Sequence, residues 1–244
     1  MPRFFVQSEN FDSDKVKITG EDAFHIARAL RMAVGDEITV ADMHGNEHIC
    51  RLERIRDDEV NCLILESRAG KTESPVEITL YMGYPKGDKL ETVIQKAVEL
   101  GAARIVPFES SRCVKRPRAD KAEKQGARLS RIAEEAAKQC GRAKLPEVLP
   151  PISFKEALAL ASKTPLSLFC YEGDGTESIK SVLQSSDAPS AVSVIVGCEG
   201  GFSIDEANSA REAGLKLVNL GPRILRCETA PVYVLSAISY YYEL

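Results

Sequence analysis

The first third of the chain alternates apolar and polar residues, which is the pattern of half-buried β-strands. The alternation is clearest in three stretches, residues 36–42, 49–55 and 60–65. One short helix is predicted between residues 21 and 32, where an apolar stripe recurs at helical spacing. These elements predict a small β-barrel over residues 1–72, and the polar stretch 67–75 is the expected linker that ends it.

From residue 76 onward, strand patterns alternate with helix patterns, as expected of a mostly parallel sheet covered by helices on both faces. The predicted strands are residues 76–84, 104–108, 147–149, 166–171, 192–197 and 216–221. Capping boxes at Ser153–Glu156 and Ser203–Glu206 mark two helix starts. A further helix follows Asp88 and is expected to end at Gly101. We therefore predict an α/β domain over residues 73–244.

The composition is that of a globular protein with a sizeable core: 244 residues, of which 44% are hydrophobic and 28% charged. There is no run of about 18 apolar residues that could span a bilayer, and the first residues lack the apolar stretch of a signal peptide. We therefore expect a cytoplasmic protein without a membrane partner.

The seven cysteines are spread singly along the chain, and the three histidines all lie before residue 49. Neither residue type occurs at the spacing of metal ligands, and no closely spaced set of cysteines could hold an iron–sulfur cluster. We expect reduced, packing cysteines and no metal site.

The charge distribution is uneven. Although the net charge is −4, the segment 112–144 carries eleven basic residues against four acidic ones, a local charge of +7. A concentration of positive charge in an acidic protein is expected of a face that binds a polyanion such as RNA. A solvated helix with many charges explains it equally well, and charge alone leaves both interpretations open.

The predicted strand 192–197 runs into a glycine loop, Gly197–Gly201, and then into the helix that starts at Ser203. Ligands bind beyond the carboxyl ends of parallel strands, and glycines let the backbone approach them closely. The spacing matches neither the dinucleotide fingerprint nor the P-loop. Glu199 disfavours a pyrophosphate but is compatible with a ribose and a positive sulfonium, as in S-adenosylmethionine. A tight turn without a ligand is the alternative.

A second loop, the arginine loop Gly221–Ala230, follows the last predicted strand and leads into an apolar helix, with Thr229 as the expected N-cap. Ile224 and Leu225 are apolar residues in a loop, where they could sandwich an adenine, while a neighbouring arginine could meet an anionic substrate. Taken alone, this loop could also be purely structural.

Together, the motifs Val-Gly-Cys-Glu-Gly-Gly-Phe-Ser at 196–203 and Leu-Gly-Pro-Arg-Ile-Leu-Arg-Cys-Glu-Thr-Ala at 220–230 resemble the signature pair of the RsmE family of SPOUT methyltransferases. Further similarities run along nearly the whole chain, at Pro2–Phe5, His25–Ile26, Leu30–Arg31, Gly35–Asp36, Lys86–Glu91, Gln95–Gly101 and Ala136–Arg142. One departure is Cys198, where the family usually has proline. That change alters loop stiffness but removes no side chain expected to do chemistry.

The resemblance implies an S-adenosylmethionine-dependent enzyme that methylates N3 of a uridine in the decoding region of 16S ribosomal RNA in the small subunit. It also implies a PUA-like barrel for RNA, a SPOUT-type α/β domain with a C-terminal trefoil knot, and a homodimer that buries the C-terminal helix. The implied cofactor-binding residues are Tyr171, Gly197, Glu199, Gly200, Gly201, Leu220, Gly221, Ile224, Leu225, Arg226, Thr229 and Ala230.

For catalysis we expect Arg226 to stabilise negative charge on the uracil carbonyls and Glu172 to accept the N3 proton. The alternatives are that Arg226 only pairs with Glu228 and that Glu172 is a solvated loop residue. The expected RNA-binding residues are Arg112, Lys115, Arg116 and Arg142 for phosphates, with Arg3 and Arg31 on the barrel.

Three other functions were considered from the sequence. A nicotinamide oxidoreductase would need a pyrophosphate loop, which the glycine loop is not. A non-catalytic RNA-binding protein would not need two intact cofactor loops. A ribose 2′-O-methyltransferase of the SPOUT class is the runner-up, because only the resemblance separates base from ribose as the target.

Overall fold

The computed structural model describes residues 1–114 and 122–244. The chain forms two compact units, Met1–Glu73 with Ala137–Leu145, and Ser74–Ala136 with Pro146–Leu244. The predicted boundary after residue 72 lies one residue before the division after Glu73. The prediction also leaves out residues Ala137–Leu145, which belong to the first unit. The boundary was placed where the strand pattern ends, and a local pattern cannot show that a distant segment packs with the first unit.

The first unit is built on one six-stranded sheet in the order β1-β4-β5-β6-β3-β2, antiparallel except for the parallel pair β1 and β4. Its strands are β1 (Arg3–Phe5), β2 (Phe11–Asp12), β3 (Lys15–Thr19), β4 (Glu37–Ala41), β5 (Asn46–Ile55) and β6 (Glu59–Ala69). The three predicted strands correspond to β4, β5 and β6. Their inward residues form an apolar core with Val16 and Ile18 of β3.

Two details of this unit differ from the expectation. The predicted linker begins too early, because β6 continues to Ala69, which pairs with Asn46 of β5. Residues 65–69 are exposed, so their polar side chains look like a linker although their backbone is in the sheet. The predicted helix 21–32 is α1 (Gly20–Phe24) followed by a wider π-helical turn, His25–Ala29. That turn changes the helical register, so that Leu30 is exposed.

The second unit is an all-parallel sheet in the order β10-β8-β7-β13-β11-β14-β12, with β9 beside β8. Its strands are β7 (Glu77–Gly83), β8 (Ala102–Glu109), β9 (Glu147–Val148), β10 (Ile152–Ser153), β11 (Leu166–Cys170), β12 (Glu177–Ser178), β13 (Ala191–Val196) and β14 (Lys216–Asn219). All six predicted strands of this part are present. The two missed strands, β10 and β12, have two residues each, too few for any alternation to show.

The helices of this unit are α2 (Lys89–Glu99), α3 (Ala122–Cys140), α4 (Phe154–Ala161), α5 (Ile179–Gln184), α6 (Ile204–Glu212) and α7 (Thr229–Tyr242). Both predicted capping boxes are formed, at the starts of α4 and α6. Gly101 follows α2 with a φ of 86°, as a C-terminal glycine should. The expected N-cap at Thr229 is wrong by one residue, since α7 begins there and its N-cap is Glu228, without a side-chain capping bond.

The parallel α/β class is confirmed, and the trefoil knot stays a prediction. In the described ranges, no helix is long and apolar enough to cross a membrane. The strand order places β7, β13, β11 and β14 side by side, so that their carboxyl ends meet at one edge of the sheet. In open parallel sheets this edge is where ligands bind.

Candidate active site

A pocket of about 570 Å³ lies at the carboxyl ends of β11, β13 and β14, within the second unit. It is lined by Lys89, Cys170, Tyr171, Glu172, Val196, Gly197, Cys198, Glu199, Gly200, Gly201, Phe202, Asn219, Leu220, Gly221, Pro222, Arg223, Ile224, Leu225, Arg226, Cys227 and Ala230. Both loops singled out from the sequence therefore face one cavity.

The lining includes Glu172, Arg226 and every expected cofactor residue except Thr229. Thr229 is exposed at the first position of α7, whereas its neighbour Ala230 is buried and lines the pocket. Successive residues of a helix point roughly 100° apart, which explains why one of them faces the cavity and the other does not. Thr229 is thus outside the lining of this pocket, and its contact with the cofactor stays a prediction.

The glycine loop is packed so closely that its glycines leave no space for a side chain. A Cβ atom on Gly201 would lie 2.5 Å from Oε1 of Glu172, and one on Gly200 would lie 2.9 Å from Cβ of Arg112. Gly201 also has a φ of 61°, which an L-residue adopts only with strain. Gly83, at the end of β7, approaches the same loop from behind, where its Cβ would lie 2.5 Å from the backbone N of Cys198.

Glu199 is held in place by groups from the start of α2. Its Oε1 accepts a hydrogen bond from the backbone N–H of Lys86 at 3.0 Å and lies 3.2 Å from Nζ of Lys89. The same Nζ lies 3.2 Å from Oε2 of Glu228, which also accepts the thiol hydrogen of Cys227 at 3.2 Å. Lys89 therefore joins a carboxylate of the glycine loop to a carboxylate of the arginine loop.

These contacts keep both carboxylates ionised. Burial acts to raise the pKa of Glu199, but hydrogen bonds from backbone N–H groups and from Lys89 outweigh it and hold the pKa below the ordinary value. The pKa of Glu228 is lowered chiefly by a hydrogen bond from its own backbone, with Cys227 and Lys89 contributing. Hydrogen bonds to Glu199 and Glu228 raise the pKa of Lys89. Two negative charges and one positive charge thus form this wall of the pocket.

Lys89 was not among the residues selected from the sequence. The signal was available, because Lys89 lies in the stretch Lys86–Glu91 that carries part of the family resemblance. That stretch is far from both loops along the chain, and only the pairing of β7 with β13 brings it beside them.

The arginine loop presents its side chains to the cavity with few contacts of its own. Ile224 is 87% exposed, and Arg226 is exposed as well. The carbonyl of Arg226 accepts the backbone N–H groups of Thr229 at 2.8 Å and Ala230 at 2.9 Å, which fixes the turn into α7. Within residues 1–114 and 122–244, no carboxylate lies within ion-pair distance of its guanidinium. The alternative that Arg226 only pairs with Glu228 is wrong, since Glu228 is paired with Lys89.

Tyr171 and Glu172 continue the chain beyond β11 into the pocket wall. The backbone N–H of Tyr171 donates to the carbonyl of Val218 at 2.9 Å, which extends the pairing of β11 with β14. Glu172 is exposed, and its carboxylate lies against Gly201 at the pocket rim.

Arg112 braces the outside of the glycine loop. Its Nη1 donates to the carbonyl of Gly200 at 3.0 Å, and its own carbonyl accepts the thiol of Cys198 at 3.4 Å. The pKa of Cys113 is lowered chiefly by a side-chain hydrogen bond with Cys198. Cys198 therefore anchors the loop through its side chain.

Two expected RNA-binding residues have structural roles instead. Arg142 is 4% exposed, and its guanidinium binds the carboxylate of Glu73 through Nε and Nη2, the latter at 2.7 Å. The side chain of Arg3 is 13% exposed and binds Glu47 at 2.9 Å and the carbonyl of Arg142 at 3.1 Å. Neither guanidinium is available to a phosphate without breaking these bonds, so both assignments are corrected.

Of the other expected RNA-binding residues, Arg112 and Arg31 are exposed, and Arg31 adopts a φ of 51° after the π-helical turn. Lys115 and Arg116 lie outside the described residues. Part of the positive charge of segment 112–144 is neutralised internally, through the ion pairs Arg128–Glu91, Arg131–Glu135 and Lys138–Asp22. The described portion of the chain contains no cluster of three or more potential metal ligands.

The chain is similar to known RNA methyltransferases along its length. Residues 72–239 match the family described as RNA methyltransferase domain, and residues 18–65 match the RNA methyltransferase PUA domain. A ribosomal RNA small subunit methyltransferase E from Bacillus subtilis is 36% identical over 251 residues, covering 100% of this chain and 98% of the relative.

Two solved structures share the fold along almost the full length. A ribosomal RNA small subunit methyltransferase E from Neisseria gonorrhoeae, bound to S-adenosyl methionine, is 33% identical with a TM-score of 0.86, covering 99% of this chain and 98% of its own. A Legionella pneumophila protein with bound SAM is 29% identical with a TM-score of 0.87, covering 98% and 96% of the two chains.

Proposed function

Because the chain belongs to the ribosomal RNA small subunit methyltransferase E family, we propose that it methylates N3 of a uridine in the decoding region of 16S ribosomal RNA. The methyl donor is S-adenosylmethionine. The observation that carries this assignment is the pocket in which the glycine loop and the arginine loop, the two segments of the family resemblance, face one another. Among residues 1–114 and 122–244 no carboxylate pairs with Arg226 of this pocket, so its positive charge can meet the anion that the target chemistry requires.

The residues present fit S-adenosylmethionine. A pocket of about 570 Å³ is in the range for a ligand of this size. The glycine loop exposes backbone where a Cβ would fill the space, and the carboxylate of Glu199 lines the cavity, where it can face a positive sulfonium. When bound, this cofactor supplies a methyl group activated by a positively charged sulfur. We assign the adenine to the apolar residues Ile224 and Leu225.

The chain's own residues must prepare the uracil. N3 carries a proton in neutral solution, and N3 becomes a good nucleophile only when that proton leaves. Arg226 has no carboxylate partner among the described residues, so its charge is available to the uracil carbonyls as the anion forms. We assign acceptance of this proton to Glu172, which is exposed at the rim beside Gly201.

RNA contact is assigned first to Arg112, which is exposed and lies directly on the glycine loop. Its guanidinium could meet a phosphate next to the target nucleotide, whose base must leave its stack to reach the pocket. Lys115 and Arg116 extend this basic stretch in the sequence, and Arg31 remains a proposed contact on the first unit. A ribosomal substrate places this activity in the cytoplasm.

The proposed homodimer would bury apolar surface of α7. Tyr233, Tyr240 and Tyr241 are exposed there, at 43%, 74% and 43%. Light scattering during size-exclusion chromatography should give twice the chain mass of 26.7 kDa. A monomer at micromolar concentration would contradict this assignment.

The activity is tested by incubating the protein with labelled S-adenosylmethionine and unmethylated small ribosomal subunits, followed by primer extension across the decoding region. Methylation at N3 blocks Watson–Crick pairing, so a strong stop should appear one nucleotide before the target. Methylation of a ribose 2′-oxygen stops the polymerase only weakly, so label incorporation without a strong stop would favour the runner-up activity.

The RNA face is tested by replacing Arg112, Lys115 and Arg116 together by glutamine. Loss of three phosphate contacts should weaken RNA binding and flatten the plot of log affinity against log salt by roughly 2 to 3. Arg131→Gln is the matched control, because that exposed arginine is already paired with Glu135. An unchanged salt slope in the triple variant would place the RNA face elsewhere.

A further inference from the structure

Lys89 occupies an unusual place for a lysine. It is the first residue of α2, where the helix dipole favours negative charge and disfavours positive charge. The backbone N–H of Lys86, just before the helix, is bound to Glu199 as expected for an anion at that end. A cation at this position breaks a local preference, and residues that do so are often held there by function.

The contacts of Lys89 supply a reason. Its Nζ lies 3.2 Å from Glu199 of the glycine loop and 3.2 Å from Glu228 of the arginine loop. These three side chains are 32%, 30% and 27% exposed, so the group is partly shielded from solvent. Without the lysine, two carboxylates that share one partner would repel each other across the pocket wall.

We propose that Lys89 is a positioning residue that clamps the glycine loop to the arginine loop and sets at −1 the combined charge of Lys89, Glu199 and Glu228, which we call the wall charge. This inference rests on the proposed cofactor site. It adds a specificity role: a negative wall charge contributes to preference for S-adenosylmethionine over its product S-adenosylhomocysteine, which has lost the positive charge on sulfur. The clamp therefore shapes the site. The one negative charge that Lys89 does not neutralise favours replacement of S-adenosylhomocysteine by S-adenosylmethionine.

The charge and the clamp can be separated by substitution. Lys89→Met removes the clamp and makes the wall charge −2. Glu228→Gln keeps the lysine beside Glu199 and makes it 0. The double variant restores −1 without the clamp. Lys96→Met is the matched control, because Lys96 lies on the same helix and pairs with Glu99, outside the pocket lining.

Calorimetric titration with S-adenosylmethionine and with S-adenosylhomocysteine tests this design. Lys89→Met should bind both ligands about five- to tenfold more weakly, and the double variant should recover about half of that loss on a logarithmic scale. The ratio of the two affinities should rise in Lys89→Met and fall in Glu228→Gln, because it follows the wall charge. Lys96→Met should match the wild type in both.

A thermal melt of each variant establishes folding. If Lys89→Met does not fold, the affinity ratio of Glu228→Gln against wild type still tests the charge. The clamp is refuted if Lys89→Met binds S-adenosylmethionine within twofold of wild type. It is also refuted if the loss of affinity in the double variant equals the product of the losses in Lys89→Met and Glu228→Gln. An affinity ratio that does not change among folded variants refutes the specificity role. Failure of the wild type to bind the cofactor would instead refute the cofactor site, and none of these outcomes depends on the RNA target.

Discussion

The two loops that line the pocket are built in opposite ways. The glycine loop is closely packed against three neighbours, which are Gly83 of β7, Arg112 and Glu172. The arginine loop has little packed against it, since a Cβ on Gly221 would meet no atom within 4 Å and Ile224 is 87% exposed. One loop gives the cavity its shape, and the other offers side chains to whatever enters it.

This difference separates structural from chemical effects of substitution. A change in the glycine loop or behind it should alter cofactor binding by moving backbone. A change in the arginine loop should alter binding or turnover while stability stays the same. A change at Lys89 should have both kinds of effect, because this residue binds one carboxylate from each loop.

The largest effect is expected for Arg226→Ala. Loss of a cation that stabilises developing charge typically costs on the order of a hundredfold or more in kcat. Affinity for S-adenosylmethionine and the melting temperature should stay near wild type, because the side chain is exposed and makes no ion pair within the described ranges. Single-turnover methylation measures the rate, and Arg226→Lys should recover part of it. Wild-type turnover in Arg226→Ala would remove this residue from catalysis.

The second largest effect is expected for Gly83→Ala, which changes only the shape of the glycine loop. The added Cβ would lie 2.5 Å from the backbone N of Cys198 and 2.9 Å from the carbonyl carbon of Gly197, so the glycine loop must shift. Overpacking of this kind costs about 1–3 kcal/mol, and we expect cofactor affinity to fall by roughly tenfold or more.

The matched control for this substitution is Gly126→Ala in α3, where a Cβ would meet nothing within 4 Å. Because alanine is the better helix former, that variant should gain about 0.5–1 kcal/mol of stability. Titration calorimetry and chemical denaturation measure both quantities. Unchanged cofactor affinity in Gly83→Ala would mean that the close packing of the glycine loop does not shape the site.

Ile224→Ala should have a moderate effect that is confined to binding. If Ile224 covers the adenine, its truncation should cost about 1 kcal/mol, or roughly fivefold in cofactor affinity. Its present exposure of 87% means that the melting temperature should not change. Ile204→Ala, at a position 70% exposed in α6 and outside the pocket lining, is the control. A lower melting temperature with wild-type cofactor affinity would mean that Ile224 stabilises the fold and does not cover the adenine.

The smallest effect is a pH dependence of the pocket wall. The folded protein lowers the pKa of Glu199, so this carboxylate stabilises the fold fully above its ordinary pKa of 4.5 and progressively less as the pH falls below it. Wild type and Glu199→Gln should therefore differ in unfolding free energy by at most about 1 kcal/mol at pH 7, and the difference should shrink as the pH falls below 4.5. Denaturation at pH 7 and pH 3 measures it, with Glu135→Gln on α3 as a surface control. An equal difference at both pH values would contradict the ionised state of Glu199.

Local patterns predicted most of the second unit. The strands β7, β13 and β14, the capping boxes of α4 and α6, and the end of α2 at Gly101 all follow from interactions within a few residues. The strand β3 was missed although Val16 and Ile18 alternate with exposed lysines and a threonine, because a run with only two apolar residues is short. The two loops were recognised because their glycines and charges follow predicted strands directly.

Contacts between distant residues were beyond such reasoning. Arg142 looks like one more surface cation of a basic helix, yet its partner Glu73 lies 69 residues earlier and buries it. Lys89 and Glu199 are brought together by the pairing of β7 with β13. The same limit applies to Arg226 and Glu228, which are two residues apart but do not pair in the described part of the chain, where Glu228 pairs with Lys89.

The central claim is that the pocket between these two loops transfers a methyl group to N3 of a uridine. The most direct measurement is mass spectrometry of nucleosides from 16S ribosomal RNA after incubation with wild-type protein and with Arg226→Ala. The account predicts 3-methyluridine from the wild type, in a fragment of the decoding region, and little or none from the variant. A methylated ribose, another methylated base, or equal yields from both proteins would contradict it.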